Sequence, residues 1–308
     1  MGYFYGPVLS RRLGFSLGVD LVPKKTCSFN CIYCQLGQTT RKSIRRFSYI
    51  DLNKLKKELK EIIKQNPKID YITISGSGEP TLHKNLDKII GLIKKVTKNK
   101  FPVCVITNSS LLYKKAVRRE LKKADLLIPS LDAVTPQIFH KINRPSKEIT
   151  IEKIIKGLIE LRREFKGKIW LEIMLVAHLN DTLNEAKKIK AITEKINPDK
   201  IQLNLPVRPG GIILSLPPPK RLKAIKKIIG KNVNIISSFH KRRQKRFSQD
   251  INKDILEFLK RRPQSLDDLT DSLAINPNQV IKSLNILLDD GKIRKYCYRK
   301  KNYFVYNK

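Results

Sequence analysis

The chain has 308 residues, 41% of them hydrophobic, and carries a formal net charge of +37. Its length suits one large domain with a small one, and no apolar run nears the roughly twenty residues of a membrane span. Met1 to Ser10 has neither the charged start nor the apolar stretch of a secretory signal, so a cytoplasmic protein with no membrane partner is expected.

From Leu17 to Leu205, short apolar runs alternate with longer amphipathic stretches, the pattern of repeated βα units around a parallel sheet. Strands are predicted at 17–22, 71–75, 103–107, 126–131, 169–176 and 201–205. Helices with apolar residues at three- and four-residue spacing are predicted at 52–65, 86–98, 114–123, 151–165, 183–196 and 220–229. Six units predict an α/β fold, a partial (β/α)6 barrel open at one side, over residues 1–236. The loops leaving the C-terminal strand ends would then form its active face. Polar residues crowd those loops: three cysteines in the first, Gly76 to Pro80 in the second, Asn108 to Ser110 in the third, then Ser130 with Asp132, His178 with Asn180 and Asp181, and Asn204 with Arg208.

Residues 237–250, dense in charge and without apolar periodicity, read as a basic linker. Beyond it a helix is predicted at 251–261, and Ser265 with Asp268 three positions on is a variant capping box opening another. Asn276-Pro277 starts a helix over 279–288 that Gly291 ends, and strands follow at 292–298 and 303–306. Three helices and a hairpin predict a small winged helix-turn-helix over 251–308. Its recognition helix would offer Gln279, Lys282 and Asn285 but ends in Asp289-Asp290, while Arg294, Arg299, Lys300 and Lys301 sit on the wing. That mixture suits backbone or RNA contact, or docking to protein, better than reading of a DNA groove.

Five cysteines are an odd number and three crowd into eight residues, which argues against a disulfide framework. Cys27, Cys31 and Cys34 have the spacing CxxxCxxC, which lets one loop wrap thiolates around iron and sulfide. With no fourth cysteine nearby, one iron would stay open to an outside ligand. A zinc site needs a fourth protein ligand, and the four histidines are scattered; unrelated thiols are the remaining alternative. Cys104 and Cys297 read as small apolar residues.

This motif, with Tyr33 just before its last cysteine and a Gly-Glu-Pro loop after the second strand, resembles the radical S-adenosylmethionine (SAM) superfamily. More narrowly, Tyr5-Gly6-Pro7-Val8, Ser10-Arg11-Arg12-Leu13-Gly14 and Ser16-Leu17-Gly18-Val19-Asp20 resemble a subgroup of wyosine-type tRNA-modifying enzymes, without the second cysteine group or flavin domain that some of those carry. The resemblance implies a four-iron four-sulfur cluster whose unique iron chelates SAM, reductive cleavage to a 5′-deoxyadenosyl radical, and an electron donor such as ferredoxin or flavodoxin. It places Gly76, Ser77, Gly78 and Glu79 at the methionyl ammonium, Tyr33 beside the adenine, and Asn108, Ser130 and Asp132 at the carboxylate and ribose. Arg11 and Arg12 would face anions, and His178, Asn180 and Arg208 are candidates for the substrate side; no general base or radical relay is assigned. Three functions remain open: modification of tRNA or another nucleic acid, modification of a peptide, and redox sensing by a cluster-bearing DNA-binding regulator.

Overall fold

The computed structural model describes residues 2–210, 212–236, 250–273, 275–299 and 301–307. It opens with an antiparallel hairpin of β1 (Phe4–Ser10) and β2 (Gly14–Val19), and then two short paired strands, β3 (Thr26–Cys27) and β4 (Arg41–Lys42). Next come α1 (Leu52–Lys64), β5 (Tyr71–Ile74), α2 (Leu86–Val96), β6 (Val103–Thr107), α3 (Lys115–Leu121), β7 (Leu126–Pro129) and α4 (Pro136–Asn143). The rest of the large body is α5 (Ile151–Glu164), β8 (Lys168–Met174), α6 (Leu183–Ile196), β9 (Lys200–Asn204), α7 (Pro219–Ile229) and β10 (Val233–Ile236).

The main sheet has the order β1-β2-β5-β6-β7-β8-β9-β10, and every neighbouring pair is parallel except β1 with β2. This is an α/β fold with a mostly parallel sheet. Its strands are short apolar runs because helices cover them: Leu17, Ile72, Ile74, Val103, Val105 and Leu127 are all fully buried. In α2 the buried residues Leu86, Ile89, Ile90 and Ile93 form one stripe at helical spacing. Side-chain caps fix helix starts, as where Asp51 accepts from the backbone N–H of Asn53 and Lys54, and Thr150 from that of Lys153.

Beyond the two-residue strands β3 and β4, three elements of the large body depart from the sequence reading. The count of six parallel strands is one short, because β10 adds a seventh; its four residues span too little for alternation to show. The edge strand β1 contains Gly6 and Pro7, which interrupt a strand pattern. The eight-residue α4 is too short for a periodic stripe, although Pro136 marks its first turn. Most of the predicted linker, 237–249, lies outside the described residues.

Residues 251–306 form α8 (Ile251–Arg261), β11 (Gln264–Ser265), α9 (Leu266–Leu273), α10 (Pro277–Asp289), β12 (Ile293–Tyr298) and β13 (Lys301–Tyr306) around their own core, which includes Ile255, Leu269, Val280, Leu284 and Ile293. The capping box is reciprocal, with Asp268 N–H donating to Ser265 Oγ and Ser265 N–H to Asp268 Oδ2, both at 3.2 Å. Cys297 is exposed on β12 rather than packed, a correction to its reading as an apolar filler; Cys104 is buried in β6 as read.

This small body packs on the large one. Val8 of β1 touches its core, Tyr303 donates to the Val207 carbonyl at 3.1 Å, and the guanidinium of Arg299 donates to the Leu214 carbonyl. Arg208 pairs with Asp268 at 2.9 Å, with side-chain exposures of 5% and 8%. Burial alone would raise the Asp268 carboxyl, but the charge and hydrogen bond of Arg208, the Ser265 N–H and Arg262 outweigh it and hold it below its ordinary value. Breaking a buried pair from one side costs about 3–5 kcal/mol, so Asp268→Asn should lower the thermal midpoint clearly. A depressed folded pKa stabilises fully above the unfolded carboxyl value of about 3.9, and that stabilisation is lost as pH falls through the depressed value. Thermal unfolding followed from pH 7 downward should therefore show an acid loss that the variant lacks; superimposable curves would remove this role for the pair.

Candidate active site

The first loop after β2 carries Cys27 on β3, then Cys31 and Cys34. Its backbone is clipped to the end of α4: Asn30 N–H donates to the Asn143 carbonyl at 3.0 Å, Ile32 N–H to Ile142 at 2.9 Å, and Ser146 N–H to Ser28 at 2.9 Å. Amide donors also approach two of the sulfurs, Asn108 Nδ2 lying 3.5 Å from Cys27 Sγ and Asn143 Nδ2 3.5 Å from Cys31 Sγ. Burial pushes Cys27 up to about 12, with Glu79 adding to the effect, and raises Cys31 well above its ordinary value with help from Cys27 and Asp132; Cys34 is raised by burial too. Unaided, these thiols keep their protons, and the charge of bound iron is what would make them thiolate ligands. Among the described residues no three His, Cys, Asp or Glu side chains converge as one metal ion requires. Three sulfurs spaced round a loop, two of them facing N–H donors, fit the larger girth of a cubane better than a single zinc.

The second loop leaves β5 and lies against the first. Lys25 N–H donates to the Ser77 carbonyl at 2.7 Å, and Glu79 N–H to the Thr26 carbonyl at 3.1 Å. Glu79 is buried, and four donors occupy its carboxylate: Thr81 N–H at 3.0 Å, Thr81 Oγ1 at 2.6 Å, Thr107 Oγ1 at 2.6 Å and Asn108 N–H at 2.7 Å. Burial raises its carboxyl while these bonds oppose the rise. In this arrangement Glu79 is a brace tying the second loop to the third. Asp20, at the end of β2, accepts from Ser77 N–H at 3.0 Å and from Ser77 Oγ at 2.5 Å, and pairs with Arg261 of α8 at 3.1 Å. The Arg261 guanidinium also lies over the Tyr5 ring, 4.0 Å from its centre.

Asp132 gathers three donors: Tyr33 OH at 2.5 Å, Asn143 Nδ2 at 2.6 Å and Met174 N–H at 2.9 Å. Burial raises its carboxyl to about 6 against these bonds. Its visible task is to orient Tyr33. Asn108, Ser130 and Asp132 border a small void of about 10 Å³ behind the cysteine loop.

In front of that loop opens a cavity of about 370 Å³. Ser16, Thr73, Ile106, Glu172 and Met174 of the sheet line it, together with Tyr33, Cys34, Gly76 and Ser77 on one side and Phe258, Arg262 and Gln264 of the small body on another. Of the residues expected at SAM, Tyr33, Gly76 and Ser77 line the cavity, whereas Gly78, Glu79, Asn108, Ser130 and Asp132 do not. Of the substrate-side candidates only Arg208 lines the cavity. Asn180 is fully buried and clamps its own loop, bonding Val176 N–H and the Asp132 and Met174 carbonyls at 2.7 Å each, while His178 is exposed with its N–H on Asp181. Sequence reasoning missed Asn143 and the Asp20–Arg261 pair. The stop signal Asn143-Arg144-Pro145 after a Pro-started helix could have pointed to the first; nothing local announces the second.

A mostly parallel sheet whose first strand-end loop carries three cysteines beside a cavity is the frame of a cofactor-dependent α/β enzyme. The model of the radical SAM superfamily matches residues 21–189. The chain belongs to that superfamily, enzymes whose cofactors are a four-iron four-sulfur cluster and SAM. It is 33% identical over 311 residues to the UPF0026 protein of Methanocaldococcus jannaschii, a match covering 98% of this chain and 95% of that one. It is also 41% identical over 298 residues to a protein of Brachyspira hyodysenteriae named GTPase Obg; that match takes in 94% of this chain but only 43% of the relative's length. A solved radical SAM methyltransferase from Sphaerobacter thermophilus shares the fold, with a TM-score of 0.52 at 16% identity over 71% of this chain and 65% of that one. Among the described residues no helix is long and apolar enough to cross a membrane.

Proposed function

We propose that this protein is a radical SAM enzyme that modifies a nucleic acid, tRNA foremost, with Cys27, Cys31 and Cys34 holding the cluster and one iron left for SAM. A cluster held by Cys27, Cys31 and Cys34 would supply reducing power to SAM bound at its open iron, and with it radical chemistry at a substrate C–H bond. The chain's own residues hold and orient. Tyr33, fixed through its hydroxyl by Asp132, would hold the adenine, and Gly76 and Ser77 the methionyl ammonium; Gly78 and Glu79 keep that loop against the cysteines, while Asn108, Ser130 and Asp132 brace the neighbouring loops.

The observation that carries the enzyme reading is the meeting of the cysteine loop and the Gly76–Glu79 loop at one cavity, joined by the hydrogen bonds from Lys25 to Ser77 and from Glu79 to Thr26. Nucleic acid is favoured by the charge of +37 and by the arginines that reach this cavity. We read the chain as a partial barrel over 1–236, a basic linker over 237–250 and a winged helix over 251–308, working with a ferredoxin- or flavodoxin-like donor in a reducing cytoplasm. The regulator reading fares worse, because the wing residue Arg299 is spent on the Leu214 carbonyl of the large body. Protein reconstituted without oxygen, given SAM and a strong reductant, should form 5′-deoxyadenosine. Failure of cluster-replete protein to do so would overturn the enzyme mechanism, and recovery of no RNA above a charge-matched control after crosslinking in cells would overturn the substrate.

A further inference from the structure

The cavity wall away from the cysteines is rich in guanidinium. Arg11, Arg12, Arg208, Arg261 and Arg262 all line it. Three of them are matched one to one by carboxylates: Arg12 pairs with Glu172, Arg208 with Asp268 and Arg261 with Asp20. The remaining two are not. Arg11 reaches only neutral oxygens, the Asn204 side chain at 3.2 Å and the Ile236 carbonyl at 3.5 Å. Arg262, which ends α8, has no side-chain hydrogen bond or ion pair among the described residues. Burial lowers both guanidinium pKa values and Arg208 lowers them further, against smaller opposing pulls from Glu172 and Asp268 on Arg11 and from Tyr5 and Asp268 on Arg262, so neither carboxylate field makes up for the loss of water. Guanidinium keeps its proton in proteins, so the demand is met by a ligand rather than by deprotonation.

We infer that Arg11 and Arg262, with Arg208 between their fields, seat a phosphate group of the substrate, carried on a free nucleotide or on one residue of an RNA chain. Two guanidinium groups without a directly paired carboxylate match a phosphate monoester dianion, or a phosphodiester and its neighbour, better than a single carboxylate, and the planar fork of Arg suits phosphate oxygens. One arginine comes from the β1–β2 turn and the other from the small body, so the same phosphate would bridge the two bodies across the cavity mouth. This deepens the nucleic-acid reading above and rests on it.

The test uses the full chain with its cluster and saturating SAM, titrated calorimetrically with a nucleoside 5′-monophosphate, the matching nucleoside, inorganic phosphate and a 5′-phosphorylated oligoribonucleotide. The phosphorylated ligands should bind, the bare nucleoside should bind roughly 10- to 100-fold more weakly, and Arg11→Gln and Arg262→Gln should each impose a loss of that order, as removal of a charge-assisted bond implies. The variants lie in different bodies, so if one fails to fold the other decides, and the comparison of nucleotide with nucleoside on the unaltered chain needs neither. Binding of the mononucleotide but not the oligonucleotide marks a free nucleotide as the source; the reverse marks RNA; both outcomes support the site. Equal affinity for nucleoside and nucleotide, undiminished affinity in both variants, or displacement of SAM by phosphate, which would give the arginines to the cofactor's carboxylate, each overturns it. Formation of 5′-deoxyadenosine by the unaltered chain is scored separately: phosphate binding without it retires the enzyme mechanism and keeps the site, and the converse retires the site alone.

Discussion

Cys31→Ala should leave a folded protein that holds no stable cluster and forms no detectable 5′-deoxyadenosine. Cys31 is the middle of the three thiols, and the loop's path does not depend on it, because Asn30, Ile32 and Ser28 are tied by backbone hydrogen bonds to residues 142–146. Removing the sulfur therefore removes a ligand without removing the loop. Two thiolates cannot grip a cubane whose other corners already include one left open for SAM. Asn143→Ala provides the graded comparison. It spares all three thiols but deletes the N–H that faces Cys31 at 3.5 Å and one of the three donors on Asp132. Partners of this outer kind change metal affinity by about 10–100-fold, so that variant should load cluster weakly and reversibly. Iron and sulfide content, read beside far-ultraviolet circular dichroism, separates these effects. Full iron content and turnover in folded Cys31→Ala would remove the cysteine loop from the mechanism.

The parts of this molecule that sequence shows are those whose cause is local. The stripe Leu86, Ile89, Ile90, Ile93 writes α2 into one stretch of chain, Ser265 and Asp268 satisfy each other within a turn, and three cysteines in eight residues are bound to share one loop. Strands β5 to β9 are legible because an apolar run between amphipathic helices has few other uses. What sequence conceals is where distant groups meet. Asp20 and Arg261 stand 241 positions apart, and each alone is an ordinary charged residue. Glu79 illustrates the same limit within a recognised motif: a carboxylate beside glycines suggests an ammonium ligand, and only tertiary structure reveals that Thr81, Thr107 and Asn108 have already claimed it. The unmatched state of Arg11 and Arg262 is likewise a property of the assembled cavity, since it depends on which carboxylates other arginines have taken.

Gly78→Ala should be the most damaging methyl group that can be added near the site. A Cβ at Gly78 would fall 1.9 Å from the Thr26 carbonyl oxygen, 2.8 Å from Val22 Cγ2 and 2.9 Å from the Thr26 carbonyl carbon. Backbone atoms cannot swing aside as a flexible side chain can, so Thr26 itself must move. Thr26 precedes Cys27 and receives the Glu79 N–H, so the displacement breaks the bond that holds the two loops together and carries the Cys27 thiol with it. Overpacking of this sort costs about 1–3 kcal/mol, more than the roughly 0.4–1 kcal/mol that alanine returns by restricting the unfolded chain. Gly91→Ala is the matched contrast: it lies within α2, and its Cβ would meet the flexible Lys123 side chain, Nζ at 3.5 Å and Cδ at 3.9 Å, both ordinary contacts. There the change to a better helix former should raise stability by about 1 kcal/mol. Thermal unfolding should thus move in opposite directions for the two variants, and cluster content should fall only in the first. If Gly78→Ala loaded a full cluster at undiminished stability, the close approach of the two loops would not be what positions Cys27.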